Sequence, residues 1–121
     1  MKNITETNYG SQIVVWENAV DVLAGGVHIS NATTTLFPNG VIPAGTLISE
    51  KQSDGTHKVA SYNTDAFDFA PLGMTHFDVS LDDMPLVAVV LSGTVRKDAL
   101  PAKEQGEWEQ IKAVLPRITG V

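Results

Sequence analysis

The chain has 121 residues, a formal net charge of −6 and no cysteine, which bounds it to one small domain with at most an added arm and removes disulfides, thiolate chemistry and cysteine-ligated zinc. Nucleic-acid binding draws its affinity from clustered Lys and Arg that displace counterions from phosphate, and no such cluster exists here; between Lys58 and Arg96 there is no basic residue, while Asp65, Asp68, Asp78, Asp82 and Asp83 fall in that gap and predict an acidic surface. No apolar run approaches the roughly 20 residues of a membrane span.

Residues 1 to 12 are polar around a lone Tyr9 and read as a loose arm; they lack the apolar heart of a signal peptide, so an unexported product is expected. Two glycosylation sequons, Asn3-Ile4-Thr5 and Asn31-Ala32-Thr33, matter only in a secretory pathway. Ile13-Val14-Val15-Trp16 is strongly β-prone, and Val20 to Leu23 and Val27 to Ile29 flank Ala24-Gly25-Gly26, which predicts a hairpin across a glycine turn. Ser30 to Thr35 is a polar connection.

Phe37 to Ile48 carries two Pro-x-Gly corners, Pro38-Asn39-Gly40 and Pro43-Ala44-Gly45. Proline presets the φ of a turn's second residue and glycine accepts positive φ, so Val41-Ile42 and Leu47-Ile48 read as strand pieces between corners. Asp54-Gly55 is a strong hairpin signal with Lys58 to Tyr62 as the returning strand. A loop follows through Asn63, Thr64, Asp65 and Asp68, and the alternation from Thr75 to Ser80 places Phe77 and Val79 on one face.

After a corner at Leu81 to Pro85, Leu86-Val87-Ala88-Val89-Val90-Leu91 is the longest apolar run and the expected central strand, continued past Gly93 by a bulge or close approach. Trp108, Ile111, Leu115 and Ile118 recur at helical spacing with Glu109, Gln110 and Lys112 between them. A short helix is predicted, bounded by Pro101 and Gly106 and ended near Leu115 by Pro116.

No constellation in the sequence points to catalysis, a cofactor or a metal. His28, His57 and His76 sit in separate segments with no ligand spacing between them. Asp82 and Asp83, adjacent in sequence, point to opposite faces of a strand and read as a turn; with Asp78 they lack the loop of an EF-hand. Asp54-Gly55-Thr56 scrambles the aspartic-protease order and reads as a hairpin turn, and Gly25-Gly26 belongs to no phosphate-binding pattern. Trp16 and Trp108 are read first as core residues and second as interface anchors, the interface reading gaining weight for Trp16 beside the polar arm.

The order of these elements resembles the head decoration and head fibre proteins of tailed bacteriophages. The resemblance spans about residues 37 to 118: a Pro-x-Gly-Thr corner opening a strand at Ile42 to Ile48, a polar hairpin turn at Asp54-Gly55-Thr56, Pro71-Leu72-Gly73-Met74-Thr75, an apolar strand into Ser92-Gly93-Thr94-Val95, and a closing helix with its Leu115-Pro116 stop. It implies a mainly β fold, a small β-barrel or β-tulip domain with a short C-terminal α-helix and an N-terminal arm. It further implies a homotrimer on the outside of the capsid, bound to the phage major capsid protein, made in the host cytoplasm and without enzymatic activity. The expected division is residues 1–35, an arm and strand region with a capsid-anchoring segment at Tyr9, Ile13, Val14, Val15 and Trp16, and residues 36–121, the decoration domain. An arm that adds a strand to an exposed sheet edge supplies a physical route to such binding. The alternative is a small β-sandwich module recognising carbohydrate, including bacterial surface glycans, through Tyr62, Phe67 or Trp16.

Overall fold

The computed structural model describes residues 15–23, 25–81 and 85–121. Its centre is β10 (Val89–Val95), rich in β-branched side chains that suit a pleated, buried surface. The apolar run expected as one strand is split at Ala88, whose carbonyl accepts the His76 N–H at 2.9 Å. Before that point β9 (Leu86–Val87) pairs with β2 (Val27–His28); beyond it β10 joins a five-stranded sheet.

β1 (Trp16–Val22) runs antiparallel along one edge of β10, from Trp16 opposite Val95 to Val22 opposite Val90. The other edge of β10 is shared in succession by β7 (Pro71–Thr75), antiparallel at Val89 and Val90, and by β11 (Ile118–Gly120), parallel at Gly93 to Val95. β4 (Leu47–Ser49) pairs outside β7. Gly93 is the predicted close approach: a Cβ there would collide with the Asn18 carbonyl, and β1 answers with register shifts on either side.

The fold is mainly β with a helical C-terminal segment, as expected, but the sheet is not a closed barrel. Its path runs β1-β10-β7-β4 and ends there, because strands of two and three residues cannot sustain the staggered ladder that closure needs. The remaining strands pair off separately: β3 (Val41–Ile42) with β8 (Val79–Ser80), and β5 (Tyr62–Asn63) with β6 (Ala66–Phe67).

Both Pro-Gly corners form. Gly40 N–H closes onto Phe37 O at 2.9 Å, and Gly45 takes φ +88° where a Cβ would lie 2.7 Å from Leu100 Cδ2. The Asp54-Gly55 turn also forms, with Ser49 N–H on Lys58 O and Ala60 N–H on Leu47 O tying its arms. The glycine turn at Gly25-Gly26 is present, but its flanking strands do not pair with each other; β1 goes to β10 and β2 to β9. Asn63 to Asp65, read as a loop, is the turn of the β5–β6 hairpin, with Thr64 at φ 42°. Phe77 and Val79 do not share a strand face: β7 ends at Thr75, and Phe77 is 61% exposed.

The C-terminal segment makes α1 (Ala102–Gly106) and α2 (Trp108–Val114). Trp108, Ile111 and Leu115 are buried as the periodicity predicts, whereas Ile118 leaves the helix after Pro116 and enters β11. Consecutive strand residues face opposite ways, so Leu47 enters one core with Met74, Val95, Trp108 and Ile111, while Ile48 enters a second with Ile29, Ile42, Val87 and Val89. No helix among the described residues is long and apolar enough to cross a membrane.

Candidate interaction surface

Of the residues expected to anchor a partner, Tyr9, Ile13 and Val14 lie outside the described residues. Val15 is buried, and its carbonyl accepts the Arg96 N–H at 2.7 Å. Trp16 is half-buried against the first core, and its indole N–H donates to Thr75 O at 2.9 Å. The two are therefore held together in the body of the fold, at the start of β1.

What holds them is the second Pro-Gly corner. Pro43 O accepts two hydroxyls, Thr46 Oγ1 at 2.6 Å and Thr75 Oγ1 at 2.8 Å. Ala44 N–H donates to Asp78 Oδ1 at 2.7 Å, and Gly45 N–H to Thr75 O at 2.8 Å. Val15 Cγ1 and Leu100 pack where a Cβ on Gly45 would otherwise sit. A depression of about 160 Å³ borders this joint, lined by Val15, Pro43, Ala44, Asp78, Leu100 and Pro101 among others. The chain N-terminal to Val15 thus meets the body at a braced point.

From that joint β1 runs as an edge strand, with β10 as its only strand partner among the described residues. Glu17 pairs with Arg96 at 3.2 Å and Asp21 with Arg117 at 2.9 Å, and between them Val20 stands 68% exposed. Register shifts and charged side chains are what soluble proteins place on open edges to limit indiscriminate strand addition. The edge is therefore selective, open in its main chain and guarded by its side chains.

Two of the three histidines are neighbours through the main chain, with His57 N–H on His28 O at 2.9 Å. His57 is buried with Nδ1 2.8 Å from Ser49 O, so that nitrogen carries the proton and donates. His76 stacks on Phe77 at 3.9 Å between centroids, and His28 lies on β2. No group of three His, Asp or Glu able to hold a metal occurs among the described residues. Asp65, Asp68 and Asp78 are exposed, the first two at the β5–β6 hairpin and the third at the Pro43 corner; Asp82 and Asp83 lie outside the described residues. Tyr62 and Phe67 meet edge to face at 5.1 Å on the β5–β6 hairpin. The aromatic that borders a cleft is Trp108, with Lys97, Asp98, Gln105 and Glu109 around a space of about 300 Å³.

One cluster went unread in the sequence. Glu104, on the first turn of α1, is 1% exposed. Its Oε2 accepts the Leu47 N–H at 2.9 Å and pairs with Lys103 Nζ at 2.9 Å, while Lys103 also donates to Ala60 O at 2.6 Å. Glu107 Oε1 lies 4.0 Å from the same ammonium, buried and without a hydrogen bond among the described residues, and burial pushes its carboxyl above the ordinary range. The Lys-Glu-x-x-Glu spacing was the available signal, since residues at i and i+3 or i+4 share a helix face. Asp54 moves the other way: the Thr56 hydroxyl and N–H bonds hold its carboxyl below the usual value.

No family model, curated protein or solved structure matches the chain.

Proposed function

We propose that the chain is a structural virion protein that binds the outer surface of a tailed-phage head as a trimer, contacts the major capsid protein and stabilises the shell. The observation that carries this reading is the joint at Val15 and Trp16. It fixes the origin of the N-terminal segment at the start of an edge strand, beside main-chain groups that no other strand uses among the described residues. Strand addition at such a place supplies directional main-chain hydrogen bonds, and trimerisation multiplies modest individual contacts through effective concentration. The role requires no catalytic group and no cofactor.

Purified protein mixed with undecorated phage heads is expected to co-sediment saturably; heads that pellet bare at micromolar protein overturn the proposal. Placement of Val15 and Trp16 in the body refines the truncation test. Removal of residues 1–14 should leave a folded trimer that no longer binds, and a truncated chain that binds heads as well as the full chain rejects the arm as the anchor.

A second reading, a carbohydrate-binding module, draws support from the polar rim of the cleft formed by Lys97, Asp98, Gln105 and Glu109. A glycan array showing dose-dependent signal that Lys97→Ala weakens would favour it. A blank array removes it.

A further inference from the structure

The Lys103, Glu104 and Glu107 side chains join the helical segment to the strands beneath it. Lys103 reaches Ala60 O, just before β5, and Glu104 reaches the Leu47 N–H on β4. Glu107 faces Lys103 and Glu104 from the helical side, and the Tyr62 backbone N–H and Asp68 from the hairpin side. Phe67, on the same hairpin, packs against the helix-covered core. The charges do not balance: the ammonium sits 2.9 Å from Glu104 but 4.0 Å from Glu107, whose buried Oε1 makes no hydrogen bond among the described residues. A second carboxylate drawn into a partly dry site with one cation is disfavoured by desolvation and by its like-charged neighbours.

We propose that Glu107 is a proton-operated clasp between the helices and the β5–β6 hairpin. Protonated, it leaves Lys103 and Glu104 as a matched pair, and its O–H becomes a donor in place of a stranded acceptor. Ionised, it loses more to burial and to repulsion from Glu104 and Asp68 than it gains from the Lys103 ammonium and the Tyr62 N–H, and the seam between the helices and the hairpin loosens. The sign follows from linkage: a carboxyl held more firmly protonated in the folded chain contributes stability below its unfolded value of 4.5, and that contribution is lost as pH rises through the raised folded value. The inference does not depend on what the chain binds.

The test uses the full chain. In carboxyl-carbon NMR, Glu107 should titrate above 4.5; a midpoint at or below that value overturns the proposal. Amide exchange protection at Tyr62, Asn63, Ala66 and Phe67, corrected for intrinsic rates, should rise as pH falls from neutrality toward 4.5. Glu107→Gln should hold these amides at the higher protection throughout, whereas Asp68→Asn, which removes one of the two carboxylates that Glu107 repels, should weaken the pH dependence without abolishing it. A dependence that survives Glu107→Gln, or that Asp68→Asn abolishes, assigns the effect to another group and overturns the clasp. If Glu107→Gln fails to fold, the NMR midpoint and the unmodified chain's protection profile decide the question.

Discussion

On one face of the central sheet, Leu47, Met74 and Val95 meet Trp108, Ile111 and Leu115 from the helical segment, and the seam is completed by Lys103 and the buried Glu104. On the other face, Ile48, Val87 and Val89 meet Val27, Ile29, Phe37, Ile42 and Val59, brought there by two-residue strands and turns. This second face is closed by neutral hydrogen bonds: Ile29 N–H to Pro85 O, His57 N–H to His28 O, and Asn31 bonding both the N–H and the carbonyl of Val59. Helices turn their side chains toward the sheet, so polar groups buried at that seam must find side-chain partners. Short extended segments present main chain, whose donors and acceptors satisfy one another. The difference predicts that charge substitutions damage the first face and apolar truncations damage both.

The largest expected effect is Glu104→Ala. It leaves the Leu47 N–H without its acceptor, empties a fully buried side-chain site and takes from the partly exposed Lys103 its closest anion; the orphaned donor and the cavity together cost roughly 3 to 4 kcal/mol. Chemical denaturation measures it directly. A loss under about 1 kcal/mol would mean that both faces are held by apolar contact alone, and the comparison would break. Next is Ile48→Ala on the opposite face, where a fully buried side chain becomes a cavity at a cost of roughly 3 kcal/mol. A much smaller loss would show the turn-covered face relaxing around the gap, as a face built from short segments has more freedom to do.

The same contrast explains which parts were legible in the sequence. The Pro38 to Gly45 corners, the Asp54-Gly55 turn and the buried stripe of Trp108, Ile111 and Leu115 are encoded locally, by backbone preference or by periodicity, and they form as predicted, whereas the long apolar run is strand as predicted but divided at Ala88 between two sheets. Partner choice is not local. The glycine turn at Gly25 sits where it should, yet Val22 and Val27 pair with Val90 and Val87, decisions made some 60 residues away in the chain. Ile118 fits the helical stripe by spacing, but Pro116 ends the helix and the free edge of β10 takes the residue instead. The hairpin at Thr64 needs positive φ from a residue that rarely supplies it, so no turn signal marked it. Val15 and Trp16 fall in the expected anchoring segment next to a polar arm; Thr75 O and the Gly45 corner, both remote in sequence, hold them in the body of the fold. Glu104 follows the same rule, since its burial depends on α1 lying over β4.

A smaller effect tests the joint between the N-terminal segment and the sheet. Trp16→Phe keeps the ring and removes the indole donor to Thr75 O, an acceptor that retains the Gly45 N–H. Because no buried group is left unsatisfied, the expected cost is about 1 kcal/mol or less. A markedly larger loss would place Trp16 among the main supports of the first core, alongside Trp108.

The smallest expected effect is Asp54→Asn, and it sharpens the comparison through its sign. Asp54 Oδ1 accepts the Thr56 hydroxyl at 2.7 Å and the Thr56 N–H at 3.0 Å in an exposed turn, and these bonds favour the carboxylate. A carboxyl lowered in the folded state contributes stability above its unfolded value of 3.8 and loses it as pH falls through the lower folded value, the reverse of Glu107. Asparagine keeps an oxygen for Thr56 but cannot carry the charge, so the variant should be slightly less stable than the parent near neutral pH and converge on it in acid, below about pH 3.8. Unfolding midpoints followed against pH in the parent, Asp54→Asn and Glu107→Gln separate the contributions, because one variant flattens the acid limb and the other the decline toward neutrality. If Asp54→Asn instead changed stability equally at every pH, the hydrogen bonds alone would matter and the carboxylate charge would not. The turn would then belong with the neutral, main-chain architecture of the second face, and the helix seam would be the only part of the described fold whose strength depends on protons.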